Sequence, residues 1–182
     1  MSMTDHTEQM FAEELERMVT EMPLSKVRVA ELARRCHTVP QTFYYHFHDK
    51  YELVAWICMR DYASAETVDG PYSPEMLEKV NESFESRRSF YARCFSEHSQ
   101  NSIAEYMAEF SMALAENAMA AAGKTMTHRQ VLAVRYHSHG IVGMFGDWLK
   151  GNSISTAELS ELLYERTPEF LKDAFNAQWG QV

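Results

Sequence analysis

The sequence predicts an all-α fold in which a three-helix N-terminal module is followed by a larger C-terminal helical bundle. Apolar residues recur at spacings of three and four through most of the chain, which is the period of an amphipathic helix. Alternating strands of useful length and tandem repeats are both absent from the sequence. One dense cluster of helix breakers at residues 69–74 divides the chain into residues 1–68 and residues 69–182.

The composition places the chain in the soluble globular class. It has 182 residues, of which 46% are hydrophobic and 24% charged, so it can build a real core. The apolar stretches are too short to cross a bilayer, and the N-terminal segment lacks the pattern of a secretory signal. Cys36, Cys58 and Cys94 form no CxxC pair, which favours a reducing compartment. We therefore expect a cytoplasmic protein with no membrane partner.

The sequence pattern predicts four helices in the N-terminal part of the chain. The first ends before Pro23, because proline cannot continue a helix. Its apolar face consists of Met10, Phe11, Leu15, Met18, Val19 and Met22. Three further helices are expected at about residues 29–35, 39–45 and 50–66.

Further helices are expected near residues 74–96, 100–122, 128–150 and 156–166, with a last one opening at Thr167 and Pro168. Ser73 followed by Pro74 is a strong signal for a helix start. Two capping boxes, in which paired side chains satisfy backbone amides reciprocally, support later starts: Thr127 with Gln130 and Ser155 with Glu158.

Residues 28–47 read as a helix-turn-helix motif. The second short helix carries a narrow apolar stripe of Val39, Phe43 and Phe47, while its other side is polar. Such a helix buries one stripe against its neighbour and presents the rest to the major groove of DNA. Residues 24–50 hold five Lys or Arg against two Asp or Glu, although the whole chain has a net charge of −9. This surplus can dock on phosphate; the alternative is an ordinary mixed-charge surface.

The amino-acid sequence of this segment resembles that of a known family. TFYYHFHDKYEL at Thr42 to Leu53 closely resembles the signature of the tetracycline-repressor (TetR) family of bacterial regulators, and VAELARRC at Val29 to Cys36 looks like its first motif helix. The resemblance implies about nine helices, a homodimer, an N-terminal DNA-binding module and a C-terminal module for ligand binding and dimerisation. Two downstream segments, NSIAEYMAEF and GIVGMFGDWLKGN, resemble the branch that includes activators of dihydroxyacetone-kinase operons.

The turn of the motif departs from the family pattern. Arg28 stands where the family usually has Thr, while His37 and Val39 replace the usual Gly and Ser. We expect His37 to adopt a left-handed backbone. Thr38 is expected to replace the missing cap through a capping box with Gln41. Pro40 stands where a basic residue is common, so the operator and the affinity should differ from those of relatives.

The predicted DNA-contacting side chains follow from this geometry. Gln41 and Thr42 near the helix start are the candidates for base contacts, while Tyr44, His46 and Lys50 are better placed for phosphate. The full set comprises Arg28, Thr38, Pro40, Gln41, Thr42, Tyr44, Tyr45, His46 and Lys50. The alternative is that Tyr45 packs against the first motif helix and His46 caps a helix end.

The second module is rich in methionine and aromatic residues, which by default form the helical core. A ligand pocket between helices would use the same residue types with a few polar groups. The predicted effector-pocket residues are Phe95, Asn101, Tyr106, Phe110, His137, Met144 and Trp148.

Glycines at positions 140, 143 and 146 recur within one predicted helix, where each costs up to about 1 kcal/mol relative to alanine. A dimer seam formed by residues 128–150 and 156–178 would compensate through close helix packing. The alternative is a loosely packed or kinked helix.

Enzymatic functions find little support. The HxH pairs His46 with His48 and His137 with His139 point apart on a helix, so neither pair predicts a metal site. We expect no catalytic residues, no metal and no cofactor. The predicted function is a homodimeric regulator of a palindromic double-stranded DNA operator, modulated by a small molecule or a partner protein. The competing hypothesis is an interaction protein of the same fold that has lost DNA readout.

Overall fold

The computed structural model describes residues 3–66, 71–95, 103–151 and 154–179. This part of the chain contains ten α-helices, one short 3-10 turn and no strand. The elements are α1 (Met3–Glu21), the 3-10 turn (Leu24–Lys26), α2 (Val29–Arg35), α3 (Pro40–His46), α4 (Lys50–Glu66), α5 (Pro74–Ser86), α6 (Arg88–Phe95), α7 (Ile103–Ala121), α8 (His128–Leu149), α9 (Thr156–Arg166) and α10 (Glu169–Trp179). The predicted all-α fold is confirmed.

The N-terminal module forms because α1, α2, α3 and α4 bury one apolar stripe each. Phe11 on α1 and Phe43 on α3 are fully buried, and their rings meet edge to face with centroids 5.3 Å apart. Phe47 lies just beyond the end of α3 and packs on Phe43 and on Trp56 of α4. This aromatic core fixes the direction in which the opposite face of α3 points.

Three predicted helix starts with local capping signals are confirmed, those of α5, α8 and α9. The Ser73 hydroxyl accepts from the amide of Met76, with Pro74 in the first turn of α5. Thr127 with Gln130 and Ser155 with Glu158 form both predicted capping boxes, at the starts of α8 and α9.

One predicted helix, residues 74–96, is wrong. The structure breaks it at Arg87 into α5 and α6. The break allows the Arg87 guanidinium to reach Asp61 on α4 and Glu16 on α1, while Tyr91 on α6 donates to the same Asp61 at 2.5 Å. These long-range ion pairs join α1, α4 and α6. They stabilise the chain at the point where the continuous helix is interrupted.

The two modules share one hydrophobic core. Buried residues from α1 to α9 form a continuous cluster, in which α5 packs along α9 and α7 along α8. The proposed boundary between residues 68 and 69 lies outside the described residues. Across the described ranges, no helix has the length and apolar character needed to span a membrane.

Candidate functional site

The polar face of α3 is open to solvent. Pro40 and Gln41 are exposed, Tyr44 is 58% exposed and Tyr45 is 84% exposed. The alternative that Tyr45 packs against the first motif helix is therefore wrong. Phe43 on the opposite side is fully buried, so the helix presents one face outward as a fixed surface.

The turn before α3 follows the sequence prediction in one respect and departs from it in another. His37 has a positive φ of 54°, as expected for a residue in the position of glycine. The predicted Thr38 capping box is wrong, because Val39 is the N-cap and contributes no side-chain hydrogen bond. The half-buried Thr38 hydroxyl instead bonds to the Thr42 hydroxyl at 2.9 Å, since the helix begins one residue later than expected. Thr42 is half-buried as well.

Two predicted phosphate contacts are engaged within the protein. The His46 side chain is 7% exposed, and its Nδ1 lies 3.3 Å from Glu8 Oε1 on α1. Lys50 Nζ donates to three backbone carbonyls at 2.7–3.0 Å, those of Leu24, Ser25 and Val27. These side chains brace α3 and α4 against the rest of the module, so we omit them from the proposed DNA-contact set.

The local positive charge is distributed unevenly. Arg34 and Arg35 both pair with Glu31, and Arg35 also pairs with Glu14 and Glu21 on α1. Hydrogen bonds from Arg34 and then Arg35 lower the pKa of Glu31 to about 2, so this carboxylate stays charged and offsets them.

Lys26 and Arg28 are exposed and form no ion pair within the described residues. Both precede α2: Lys26 ends the 3-10 turn, and Arg28 is the N-cap of α2 in extended conformation. The surplus of positive charge predicted from the sequence is therefore available to phosphate chiefly at these two side chains.

Asp49 links the DNA-facing module to the bundle. Its Oδ1 caps α4 by accepting from the amides of Tyr51 and Glu52 at 2.8 and 2.9 Å. Its Oδ2 accepts from the Tyr106 hydroxyl on α7 at 3.3 Å. Burial and the neighbouring Asp49 carboxylate raise the pKa of Tyr106 to about 12. The predicted effector-pocket residue Tyr106 therefore lies at the junction of the two modules instead of in a pocket.

A cavity of about 130 Å³ lies inside the C-terminal bundle. Of the predicted pocket residues, Phe95, Phe110 and His137 line it. Asn101 lies outside the described residues.

Two further predicted pocket residues, Met144 and Trp148, are absent from the cavity lining and belong to the surrounding core. Trp148 is 1% exposed because Phe145 covers it at a centroid distance of 5.5 Å and the Arg88 guanidinium stacks over its ring at 4.2 Å.

Polar groups that were not predicted from the sequence, Tyr72 and Asn81 among them, also line the cavity beside His137. The Tyr72 hydroxyl lies 2.8 Å from Thr167 Oγ1, and His137 Nε2 lies 3.2 Å from the same oxygen. Burial lowers the pKa of His137, which favours its neutral form. Asn81 also lines the cavity, and its position on the apolar face of α5 between Val80 and Phe84 is a signal that the sequence did contain.

Comparison with known families identifies the family to which this chain belongs. Residues 16–57, which contain α2 and α3, match a family profile described as "Bacterial regulatory proteins, tetR family". Residues 73–167, more than half of the chain, match a profile described as "Transcriptional regulator C-terminal region". The chain belongs to the TetR family. As a TetR-family chain it is a DNA-binding regulator in outline, with α2 and α3 as its helix-turn-helix, and the family indicates a transcription factor and not an enzyme.

A search of curated proteins gives no match to this TetR-family chain. The two profiles lend no support to the narrower branch of dihydroxyacetone-kinase operon activators, which stays a prediction from the sequence.

Proposed function

We propose that this TetR-family regulator binds a palindromic operator as a homodimer and that a small molecule in the bundle cavity sets its affinity for DNA. The observation that carries the proposal is the exposed polar face of α3, held in place by the buried Phe43 behind it. The outline of a DNA-binding regulator follows from the family, whereas the dimer, the operator and the effector are proposals.

Base readout is assigned to Gln41. It is exposed at the second position of α3 and makes no hydrogen bond within the described residues, so its amide is available. A glutamine amide can pair in bidentate fashion with the major-groove edge of adenine. Tyr44 and Tyr45 beside it can reach phosphate or sugar, and Lys26 with Arg28 supplies the charge.

Support for a homodimer comes from an exposed stripe on α8. Leu132 is 52% exposed and Tyr136 is 86% exposed, one turn apart on the same face. Gly140 and Gly143 continue the stripe, and a methyl group added at either would meet nothing within 4 Å. A second copy of the chain packed on this stripe would bury the two apolar side chains and use the glycines for close approach.

The helix α4 can couple the cavity to the DNA-facing surface. Cys58 and Tyr62 of α4 line the cavity, while Asp61 between them is bonded to Arg87 and Tyr91. At its other end α4 begins at Lys50, which donates to two carbonyls of the 3-10 turn and to the Val27 carbonyl just after it. An occupant of the cavity would therefore displace the same helix that braces the motif, and the spacing of the two α3 helices would change. A partner protein acting on the bundle is the other predicted source of such a shift.

Two matched tyrosine variants test the proposal, because Tyr45 and Tyr136 are almost equally exposed but lie on different faces. Operator affinity is measured by fluorescence anisotropy across a salt series, and oligomeric state by sedimentation. We expect Tyr45→Ala to weaken DNA binding while the dimer persists, and Tyr136→Ala to weaken the dimer. A full-length protein that shows no salt-dependent DNA binding would favour the interaction-protein alternative, and a monomer at all concentrations would reject the dimer.

A further inference from the structure

We infer that the bundle cavity takes an uncharged molecule about the size of one six-membered ring, which donates a hydrogen bond to the Asn81 side-chain oxygen. This inference rests on the proposed function, because it specifies the chemistry of the proposed effector. The size of the cavity, the charge of its lining and the direction of the hydrogen bonds around it each favour this class of ligand.

The size of the cavity limits the ligand. Its volume is about 130 Å³. An apolar protein cavity of about 150 Å³ holds one benzene molecule. A single ring with one small substituent is therefore the scale of ligand that fits without rearrangement.

The lining excludes charged ligands. Aromatic and aliphatic side chains dominate it, and none of the described residues that line it is Asp, Glu, Lys or Arg. His137 is the lining group that could gain a positive charge near neutral pH, and burial disfavours that charge. An anion or a cation placed here would lose its hydration without gaining an opposite charge.

The hydrogen bonds of Ser160 fix the orientation of the Asn81 amide. Ser160 Oγ lies 2.7 Å from the Thr156 carbonyl oxygen, so its proton must lie between the two oxygens. Ser160 Oγ is therefore an acceptor toward Asn81, and the group 2.9 Å away must be the amide nitrogen. The amide oxygen of Asn81 then points away from Ser160, and no hydrogen bond within the described residues engages it.

Asn81 is 4% exposed and lines the cavity, so its oxygen is an acceptor without a protein donor at the cavity wall. Buried polar groups are usually hydrogen-bonded, which makes this oxygen the natural partner of a ligand O–H or N–H group.

Three other lining hydroxyls, those of Ser111, Ser138 and Tyr72, use their protons within the protein. Ser111 donates to the Met107 carbonyl at 2.9 Å, and Ser138 donates to the Val134 carbonyl at 2.8 Å. Tyr72 donates to Thr167 Oγ1, because the Thr167 proton is directed to the Leu163 carbonyl at 2.9 Å. These groups offer lone pairs and not protons to the cavity. A ligand that donates is consequently favoured over one that only accepts.

Three small probes of similar size test the inference on the full-length protein by calorimetry: phenol, anisole and benzoate. Phenol donates through its hydroxyl, anisole carries the same ring and oxygen but cannot donate, and benzoate is an anion. We expect phenol to bind about threefold to tenfold more tightly than anisole, which is the value of one hydrogen bond. Benzoate should bind more weakly than both.

Asn81→Leu should remove the preference for phenol over anisole while anisole still binds. Ser160→Ala should also reduce the preference, because Ser160, which lies outside the cavity lining, accepts from the amide nitrogen of Asn81 and thereby orients its oxygen; an unchanged preference would contradict this orientation. If Asn81→Leu does not fold, the side-chain amide resonance of Asn81 in the wild type provides the readout. It should shift with phenol more than with anisole.

Equal or tighter binding of anisole, tighter binding of benzoate, or no binding of phenol at millimolar concentration overturns the inference. The proposed function fails separately: if phenol binds with the expected preference but leaves the operator affinity unchanged, the ligand chemistry stands and the effector role is rejected.

Discussion

The carboxylate of Asp61 joins three helices, and its replacement tests how the two modules are held together. Its side chain is 8% exposed, lies in an ion pair with Arg87 and accepts the Tyr91 hydroxyl at 2.5 Å. Arg60 also lies within 3.0 Å of it. Asp61→Asn keeps the shape of the side chain and removes its charge, so any loss of stability reports the electrostatic bonds and not the packing.

The expected cost is about 3 kcal/mol in the free energy of unfolding. Breaking a buried ion pair by removing one partner costs about 3–5 kcal/mol, because the remaining charge is left uncompensated. Arg87 keeps its ion pair with Glu16, which is 29% exposed, so the lower end of that range applies. Tyr91→Phe, which removes one hydrogen bond to a charged group, should cost about 1.5–3 kcal/mol. The double variant should lose less than the sum, since both changes act on one carboxylate.

Urea unfolding at fixed protein concentration, followed by circular dichroism, measures these differences. Asp147→Asn is the matched control, because Asp147 is 57% exposed and pairs with Lys150 only at 3.5 Å. The control should change stability by less than about 0.5 kcal/mol. A stability change for Asp61→Asn no larger than that of the control, or complete additivity of the Asp61 and Tyr91 effects, would contradict the role assigned to this carboxylate.

Three further predictions concern the motif and the cavity. Phe43→Ala should cost about 3–5 kcal/mol in urea unfolding because a fully buried ring is lost, whereas the exposed Tyr45→Ala should change stability by less than about 0.5 kcal/mol; equal effects would contradict the assigned faces of α3. His37→Gly should raise the melting temperature by about 1–2 °C, because relief of the left-handed strain outweighs the entropy that glycine loses, and a lowered value would count against strain at φ 54°. Because burial lowers the pKa of His137 below 6.5, this histidine takes up a proton in the unfolded chain before it does so in the folded protein, and the free energy of unfolding should fall as the pH drops below about 6.5. His137→Gln should lose less stability than the wild type between about pH 7.5 and 5.5. Identical losses would show that His137 is not the origin of the pH dependence.

Most features decided within a few residues could be predicted from the sequence, although the predicted Thr38 capping box does not form. Ser73, Thr127 and Ser155 each cap a helix through contacts to residues at most three positions away, and all three structures are as expected. The positive φ of His37 could be predicted in the same way, because the turn requires a left-handed backbone at this position whichever residue is present.

Features decided by distant partners could not be predicted. The break at Arg87 depends on Asp61, which is 26 positions earlier in the chain. Lys50 carries the charge expected of a phosphate ligand, but its ammonium group donates to carbonyls more than 20 positions away in the chain. The position of Tyr106 at Asp49, outside the cavity, likewise follows from the packing of α7 on the N-terminal module.

Selection of bound fragments from a random pool of double-stranded DNA, using the full-length protein, tests whether the exposed α3 face reads DNA. We expect a two-fold symmetric consensus with half-site centres separated by about 10–10.5 base pairs or a multiple of it, and relaxed preference at one position of each half-site for Gln41→Ala. Failure to enrich any sequence, or an asymmetric consensus that Gln41→Ala leaves unchanged, would contradict the assignment of the exposed α3 face as the DNA-reading surface.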